Sequence, residues 1–388
     1  MRVIFLGGMG DMGKRAVSEL CSFPEIDHVT VVGRSREKYE KFLEQVHNGS
    51  DKLRFELVDL NRAENLSLLF KDYDLVASTA GPFYKYERML AAAAMEAGVD
   101  YVSICDDFDA AEQVFELDAA VREKGLCVLT GVGWTPGLSS LLARAAADSL
   151  DTVEKINVAW AGNTEDAVGL AVILHSLHIF CGSVPSFLDG SLKMVPAGSG
   201  KERIRFPEPI GELNVYNVGH PEPVTMHRYF PGIAEVTLKG GINEDLLNKL
   251  AILASKLGLS RNKKVRDLVA AFFQKTLRYW RRAAGSAPEV SGIRVDVKGT
   301  SAGAPCRLSY SAVGPMDVLT GVPMAIAIRE MARGNIDKKG VLAPEASGLF
   351  DPQIFFNELR DRDVEVIIEK AVDVLGSTSA ADACIAHN

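Results

Sequence analysis

The stretch from Arg2 to Leu20 constrains this 388-residue chain more than any other. Val3-Ile4-Phe5-Leu6 is a short apolar run, and Gly7-Gly8-Met9-Gly10-Asp11-Met12-Gly13 follows at once. Lys14 to Leu20 then carries an apolar stripe of Ala16, Val17 and Leu20 at helical spacing. The order is strand, tight turn, helix. Within the turn, Gly8, Gly10 and Gly13 spell Gly-x-Gly-x-x-Gly. In that pattern the first glycine permits the sharp turn, the second admits a pyrophosphate close to the backbone, and the third lets the helix pack on the strand. The helix N-terminus offers unpaired N–H groups and its positive dipole end to the phosphates. Glycines alone would be a weak sign, but the flanking strand and helix patterns make this a dinucleotide-binding loop. Met9, Asp11 and Met12, between the glycines, are read as cofactor neighbours.

His28 to Val32 predicts a second strand, closed by Gly33, Arg34 and Ser35. An NAD-preferring domain carries Asp or Glu near this junction, roughly 20 residues or more past the glycines, to bind the ribose 2′-hydroxyl. Here Gly33 leaves room, Arg34 offers a guanidinium, and Ser35 offers a hydroxyl and a helix N-cap. That set suits a 2′-phosphate, so NADP(H) is favoured, with NAD(H) as the alternative. Leu53 to Val58 predicts a third strand, with Asp59 and Leu60 at its end as neighbours of the adenine. A helix over Glu64 to Phe70 leads to a fourth strand, Asp74 to Ser78. The loop Thr79-Ala80-Gly81-Pro82-Phe83 follows. Ligands sit at the carboxyl ends of parallel strands in such sheets, so this loop is assigned to the nicotinamide.

A helix over Arg88 to Ala97, a strand over Tyr101 to Cys105, a helix over Ala110 to Glu123 and a strand over Leu126 to Leu129 complete a doubly wound parallel sheet. The run Gly131-Val132-Gly133-Trp134-Thr135-Pro136-Gly137 breaks the pattern, with Thr135 and Pro136 read as N-cap and first residue of a helix reaching Ser149. Beyond it, strands no longer alternate one-for-one with helices. An α/β fold is therefore expected: an N-terminal Rossmann domain over 1–131 with a return segment over about 316–375, and a second α+β domain with a mixed sheet over 132–315.

Composition narrows the function classes. The net charge of −8, with no basic stripe, gives no reason to expect a nucleic-acid partner. Six scattered cysteines without a CxxC pair argue against a zinc site or a disulfide framework and suit a reducing cytosol. The chain opens on a core strand, so no leader is expected before it. The apolar stretch Ala167 to Gly182 is interrupted by His175, Ser176 and His178 and is too short to span a bilayer comfortably. It reads as a buried or interface helix, which supports a homodimer, with no membrane partner. No metal site is expected.

Acid–base work near neutral pH falls most often to histidine, and there are seven. His28 and His47 lie away from the cleft loops, His387 is in the tail, and His175 and His178 suit the core of their helix. His220, in Gly219-His220-Pro221-Glu222-Pro223, is the candidate proton carrier beside Glu222, with Arg228 as a carboxylate anchor; a proline-rich surface loop is the competing reading. Cys105 and Asp106, at the end of the fifth strand, are further catalytic candidates, against a packed thiol and a helix cap. Tyr84 and Trp134 are assigned to the substrate, although a solvated helix start suits Tyr84 and Lys85 equally.

Several stretches together resemble the saccharopine dehydrogenase-like oxidoreductases. They are the glycine loop; Asp74 through Gly81-Pro82-Phe83 to Gly98-Val99-Asp100-Tyr101-Val102; the Pro136-Gly137 turn; and Gly340-Val341-Leu342-Ala343-Pro344-Glu345 followed by Phe355-Phe356-Asn357-Glu358-Leu359. The resemblance implies a Rossmann domain, a substrate and dimerisation domain, and hydride transfer between the cofactor and the C–N bond of an amino-acid-derived substrate. Two positions depart from the family. Ser103 stands where an Asp is common, and Trp134-Thr135 precedes Pro136-Gly137. Two other readings are kept: homospermidine synthase-like aminoalkyl transfer with a bound nicotinamide, and a non-catalytic nucleotide-binding sensor.

Overall fold

The computed structural model describes residues 1–46, 50–62, 64–163, 170–256, 265, 268–272, 274–276 and 288–372. The chain runs β1 (Arg2–Leu6), α1 (Gly13–Ser22), β2 (His28–Gly33), α2 (Arg36–Leu43), β3 (Leu53–Leu57), α3 (Leu66–Phe70), β4 (Leu75–Ser78), α4 (Phe83–Ala97) and β5 (Asp100–Ser103). It continues with α5 (Phe108–Phe115), α6 (Asp118–Glu123), β6 (Cys127–Leu129), α7 (Leu138–Ala147), β7 (Thr152–Gly162) and α8 (Leu170–Ile179). Then come β8 (Ser183–Leu188), β9 (Ser191–Pro196), β10 (Glu202–Arg205), β11 (Glu212–Asn217), α9 (Glu222–Thr225), β12 (Glu235–Ile242) and α10 (Asp245–Lys256). The last elements are β13 (Ser291–Ser301), β14 (Ala304–Gly314), α11 (Met316–Ala332), β15 (Gly340–Leu342), α12 (Pro352–Arg360) and β16 (Val366–Val372). Most of Val265 to Arg281, which is patterned as a helix and ends near the basic cluster Arg278, Arg281 and Arg282, lies outside the described residues, as do His47, the start of the apolar stretch at Ala167 and the tail after Gly376.

The chain divides into two compact units, Met1–Leu138 with Asp317–Pro344, and Ser139–Met316 with Glu345–Asn388. In the first unit the strands stand in the order β15-β6-β5-β4-β1-β2-β3, all parallel. This is a doubly wound sheet whose strand order reverses between β1 and β4, and ligands bind at such reversals. Val3 to Leu6 and Leu75 to Ser78 are buried throughout, as expected of central parallel strands covered on both faces. α1 turns Gly13, Ala16, Val17, Leu20 and Cys21 inward, which matches its sequence stripe.

Local chemistry moved several boundaries. α4 opens at Phe83 rather than Arg88, directly after the cis Gly81–Pro82 bond. The helix expected over Ala110 to Glu123 is two helices, α5 and α6. α7 begins at Leu138 rather than at Pro136, after a Gly133–Gly137 bridge. β15 was not expected. It joins the sheet beside β6, and the Asp118 carboxylate accepts its Val341 N–H at 2.7 Å.

The second unit holds a mixed sheet ordered β10-β11-β12-β7-β13-β14-β16, with β8 and β9 as a side branch on β12. β7 pairs parallel with β12 and antiparallel with β13. The return segment ends earlier than expected. β16 pairs antiparallel with β14, with Tyr310 opposite Ile368, so this strand belongs to the second sheet and not to the nucleotide unit. The reason is a ladder of backbone hydrogen bonds, and the short apolar run Val364 to Ile368, strand-like by itself, does not name its partner. Arg144 of α7 is buried here, donating from Nε and Nη2 to the Glu345 carbonyl at 2.9 and 2.7 Å while its guanidinium lies 4.2 Å from the Phe230 ring centroid.

Candidate cofactor and active site

The glycine loop has the shape a pyrophosphate needs, with one role reassigned. Gly7, not Gly8, takes the left-handed conformation that makes the sharp turn, at φ +80°. A Cβ on Gly8 would instead stand 2.8 Å from the Val17 side chain. A Cβ on Gly13 would sit 2.4 Å from the Gly7 carbonyl oxygen and 2.5 Å from Thr79 Oγ1, so Gly13 brings α1 against both β1 and the loop after β4. Around Gly10 the nearest atom to such a Cβ is the Gly7 oxygen at 3.2 Å, and Gly10 itself is exposed. The N-cap position of α1, Met12, makes no side-chain cap bond. An exposed glycine and a helix N-terminus without a side-chain cap fit a diphosphate. Met9, Asp11 and Met12 are partly buried in the same loop.

Arg34 follows β2 and Asp59 follows β3, the strand paired with β2. Hydrogen bonds from the Asn61 backbone and side chain hold the Asp59 carboxyl below its ordinary range, and the Arg34 charge adds to the effect. Arg34 is exposed, while Ser35 uses its hydroxyl to cap α2 through Lys38 N–H. The room above Gly33 is filled: a Cβ there would lie 2.2 Å from the Met9 methyl carbon. Leu60 is partly buried next to Asp59.

Thr79 and Ala80 follow β4 next to β1, partly buried, with the Thr79 N–H bonded to the Leu6 carbonyl. Gly81 and Pro82 lead into Phe83, which is buried as the first residue of α4. Tyr84, next on that helix, is partly buried, and its N–H is accepted by the Asp107 carboxylate at 2.8 Å. Asp107 is the N-cap residue of α5 and is completely buried. Asp106 beside it is partly buried. Cys105 is fully buried, its Sγ 3.7 Å from the Asp107 carbonyl, and burial pushes its thiol well above the ordinary range, with Glu87, Asp107 and Asp106 adding to the effect. That environment suits a packed, neutral thiol. Trp134 is buried in the Gly131–Gly137 turn.

Sequence reasoning missed Glu87. The Tyr101 hydroxyl donates to its Oε2 at 2.8 Å, and the Ser103 and Thr130 hydroxyls donate to its Oε1, the latter at 3.0 Å. Burial pushes its carboxyl up to about 7 against the pull of these bonds. A signal was available. Glu87 shares the inward stripe of α4 with Phe83, Leu90, Ala91 and Ala94, and an acid on an apolar stripe needs partners. Ser103, the departure from the family pattern, supplies one of them.

In the second unit, His220 is buried, not on a surface loop. Its ring centroid lies 5.7 Å from that of Trp160 and 5.3 Å from that of His175, edge to face with the latter. Glu222 is completely buried and accepts the Ser139 hydroxyl at 2.7 Å. Arg228 is exposed, with its Nε donating to the Val224 carbonyl at 3.0 Å. His227 stacks on Phe187 at 4.7 Å.

Comparison with known proteins bears on the nucleotide-binding domain and on the fold. Residues 3–129 match the saccharopine dehydrogenase NADP binding domain family. The whole fold is similar to apo saccharopine dehydrogenase (L-Glu forming) from Saccharomyces cerevisiae, at 16% identity over 95% of this chain and 99% of that one, with a TM-score of 0.66. Weaker likenesses include a C. glutamicum DAP dehydrogenase (13% identity, 94% and 99% coverage, TM-score 0.46) and an amine dehydrogenase from Mycobacterium smegmatis (10%, 90% and 97%, 0.45). Among the described residues, no helix is long and apolar enough to cross a membrane.

Proposed function

We propose that this chain, whose residues 3–129 match the saccharopine dehydrogenase NADP binding domain family, is an NAD(P)-dependent oxidoreductase that transfers a hydride between NADP(H) and the C–N bond of an amino-acid-derived small molecule. The observation that carries the cofactor choice is that exposed Arg34 directly follows β2, where no acid stands to take a ribose hydroxyl. The bound nicotinamide supplies or accepts the hydride. The glycine loop and the start of α1 bind the pyrophosphate, Arg34 binds the 2′-phosphate, and the Thr79–Phe83 loop orients the nicotinamide. Asp106 is the proton-handling group assigned to the nucleotide unit, and His220 that of the second unit, with Arg228 as carboxylate anchor. Tyr84 and Trp134 border the substrate.

The C–N assignment rests on the family stretches in the sequence and on the relative whose name records a saccharopine dehydrogenase forming L-Glu. In α8, Val172, Ile173 and Leu174 are only partly buried, which favours a homodimer through this helix. The test is a fluorescence titration with NADPH and NADH, followed by turnover assays with pairs of amines and keto acids or aldehydes. NADPH binding with amine-dependent turnover supports the reading. Binding without turnover on any pair would leave a nucleotide-binding sensor, and equal affinity for both cofactors would remove the NADP preference.

A further inference from the structure

Glu87 is part of no assigned function, yet it joins three pieces of the nucleotide unit. Its own helix, α4, opens at the Gly81-Pro82-Phe83 loop. Tyr101 and Ser103 lie on β5, and Thr130 follows β6 directly. Cys105 N–H also approaches the Ser103 hydroxyl at 3.4 Å, which ties in the loop that carries Asp106. The start of α4 is held a second time, through the Tyr84 N–H on Asp107. Strand β5 and the residue after β6 are thus fastened directly to the Glu87 carboxylate on α4, and the loop after β5 is reached through Ser103.

We propose that Glu87 is a positioning residue for the nicotinamide end of the cofactor site, and that its carboxylate form holds the binding geometry. This rests on the cofactor reading above. The chemistry is one of donors and acceptors. A carboxylate is acceptor-only and takes all three hydroxyls. A protonated Glu87 must itself donate, so one hydroxyl has to turn away and find another acceptor. Ser103 and Thr130 share Oε1 and lie 3.5 Å apart, so a turn of either disturbs the other. The charged neighbour acting on Glu87 is Asp107, and Glu87 in turn raises the Tyr101 and Cys105 groups. The faces of α3 and α5 that are buried beside α4 present Leu66, Phe70, Ala110, Ala111 and Val114, with no charge. Arg88, the next residue on α4, is exposed and faces Glu116. The carboxyl titrates near neutrality, at about 7.

The experiment measures NADPH and NADH affinity by nicotinamide fluorescence from about pH 5.5 to about pH 8.5, for the wild type, Glu87→Gln and Tyr101→Phe; one hydrogen bond to a charged group corresponds to roughly a tenfold change. The wild type is expected to lose affinity by about that factor toward acid. Glu87→Gln should bind with the weak affinity at every pH. Tyr101→Phe removes one donor to the carboxylate and should move the transition to higher pH. A wild type that binds cofactor with the same pH profile as Glu87→Gln, or a Tyr101→Phe transition that does not move, overturns the proposal. A wild type that binds neither cofactor at any pH overturns the cofactor reading instead. Thermal unfolding of each variant identifies any that fails to fold, and Tyr101→Phe keeps the test decisive if Glu87→Gln does.

Discussion

Trp160 covers Gly240 on the adjacent parallel strand, so closely that a Cβ at Gly240 would stand 2.0 Å from the indole Cε2. The two residues are direct register partners in the second sheet, and the indole is buried. Gly240→Ala therefore has to displace the ring or the strand. It should destabilise this unit by about 1–3 kcal/mol, the usual range for overpacking. Chemical denaturation checks this, and a midpoint equal to the wild type would show that the indole moves freely.

The glycine loop separates folding from binding. Gly13→Ala drives a methyl into the Gly7 oxygen and Thr79 Oγ1. It should lower stability by about 2 kcal/mol or more and abolish cofactor binding. Gly10→Ala meets only the Gly7 oxygen at 3.2 Å and no unfavourable φ. Its stability should stay near the wild type while NADPH affinity drops roughly tenfold or more, because the methyl stands where phosphate approaches the backbone. Calorimetric unfolding and titration on the same samples measure both quantities. Equal stability losses in the two variants would contradict the division of roles.

Arg34→Ala should weaken NADPH by roughly ten- to a hundredfold, the scale of charge-assisted hydrogen bonds to a phosphate, and leave NADH unchanged. Competitive titration gives the ratio directly. Equal losses for both cofactors would assign Arg34 a role away from the 2′-phosphate.

Glu87 also leaves a mark on stability. Its carboxyl is raised from the ordinary 4.5 to about 7, first by burial, so the folded chain holds this proton more tightly than the unfolded chain does. The favourable contribution is complete below the unfolded value of 4.5, is lost as pH rises through about 7, and is level above that. The loss is on the order of 3 kcal/mol at full effect. Relative to the wild type, Glu87→Gln should therefore gain stability as pH rises across this window. Urea unfolding at several pH values measures the difference, and parallel pH profiles would show that Glu87 titrates normally.

The α8 reading predicts a dimer. Light scattering at micromolar concentration should report about twice the 42.0 kDa chain mass. Introducing charge at Ile173 should shift the mass to that of one chain, since a charge buried in an apolar interface is strongly unfavourable.

Much of the nucleotide unit was legible in the sequence because its signals are local. The buried runs of β1 and β4, the stripe of α1 and the glycines between them depend on residues within a few turns of one another. The mixed character of the second sheet could be read from the loss of strand–helix alternation. Which strands pair could not. β15 reaches β6 from over two hundred residues away, and β16 is drawn to β14 rather than to the nucleotide unit. Backbone ladders carry no residue-specific label, so a short apolar run is compatible with many partners.

The same division holds at the candidate site. The sequence by itself determined that a dinucleotide loop opens the chain and that a basic residue, Arg34, follows β2. Only the tertiary structure decided that Gly7 makes the turn, that Met9 fills the space over Gly33, and that His220 is buried beside Trp160. It alone assembled Glu87 with Tyr101, Ser103 and Thr130, partners 14, 16 and 43 residues away. Composition and periodicity report whether a residue is buried. Which hydroxyl meets which carboxylate depends on how the strands close into a sheet, and that is a property of the folded chain.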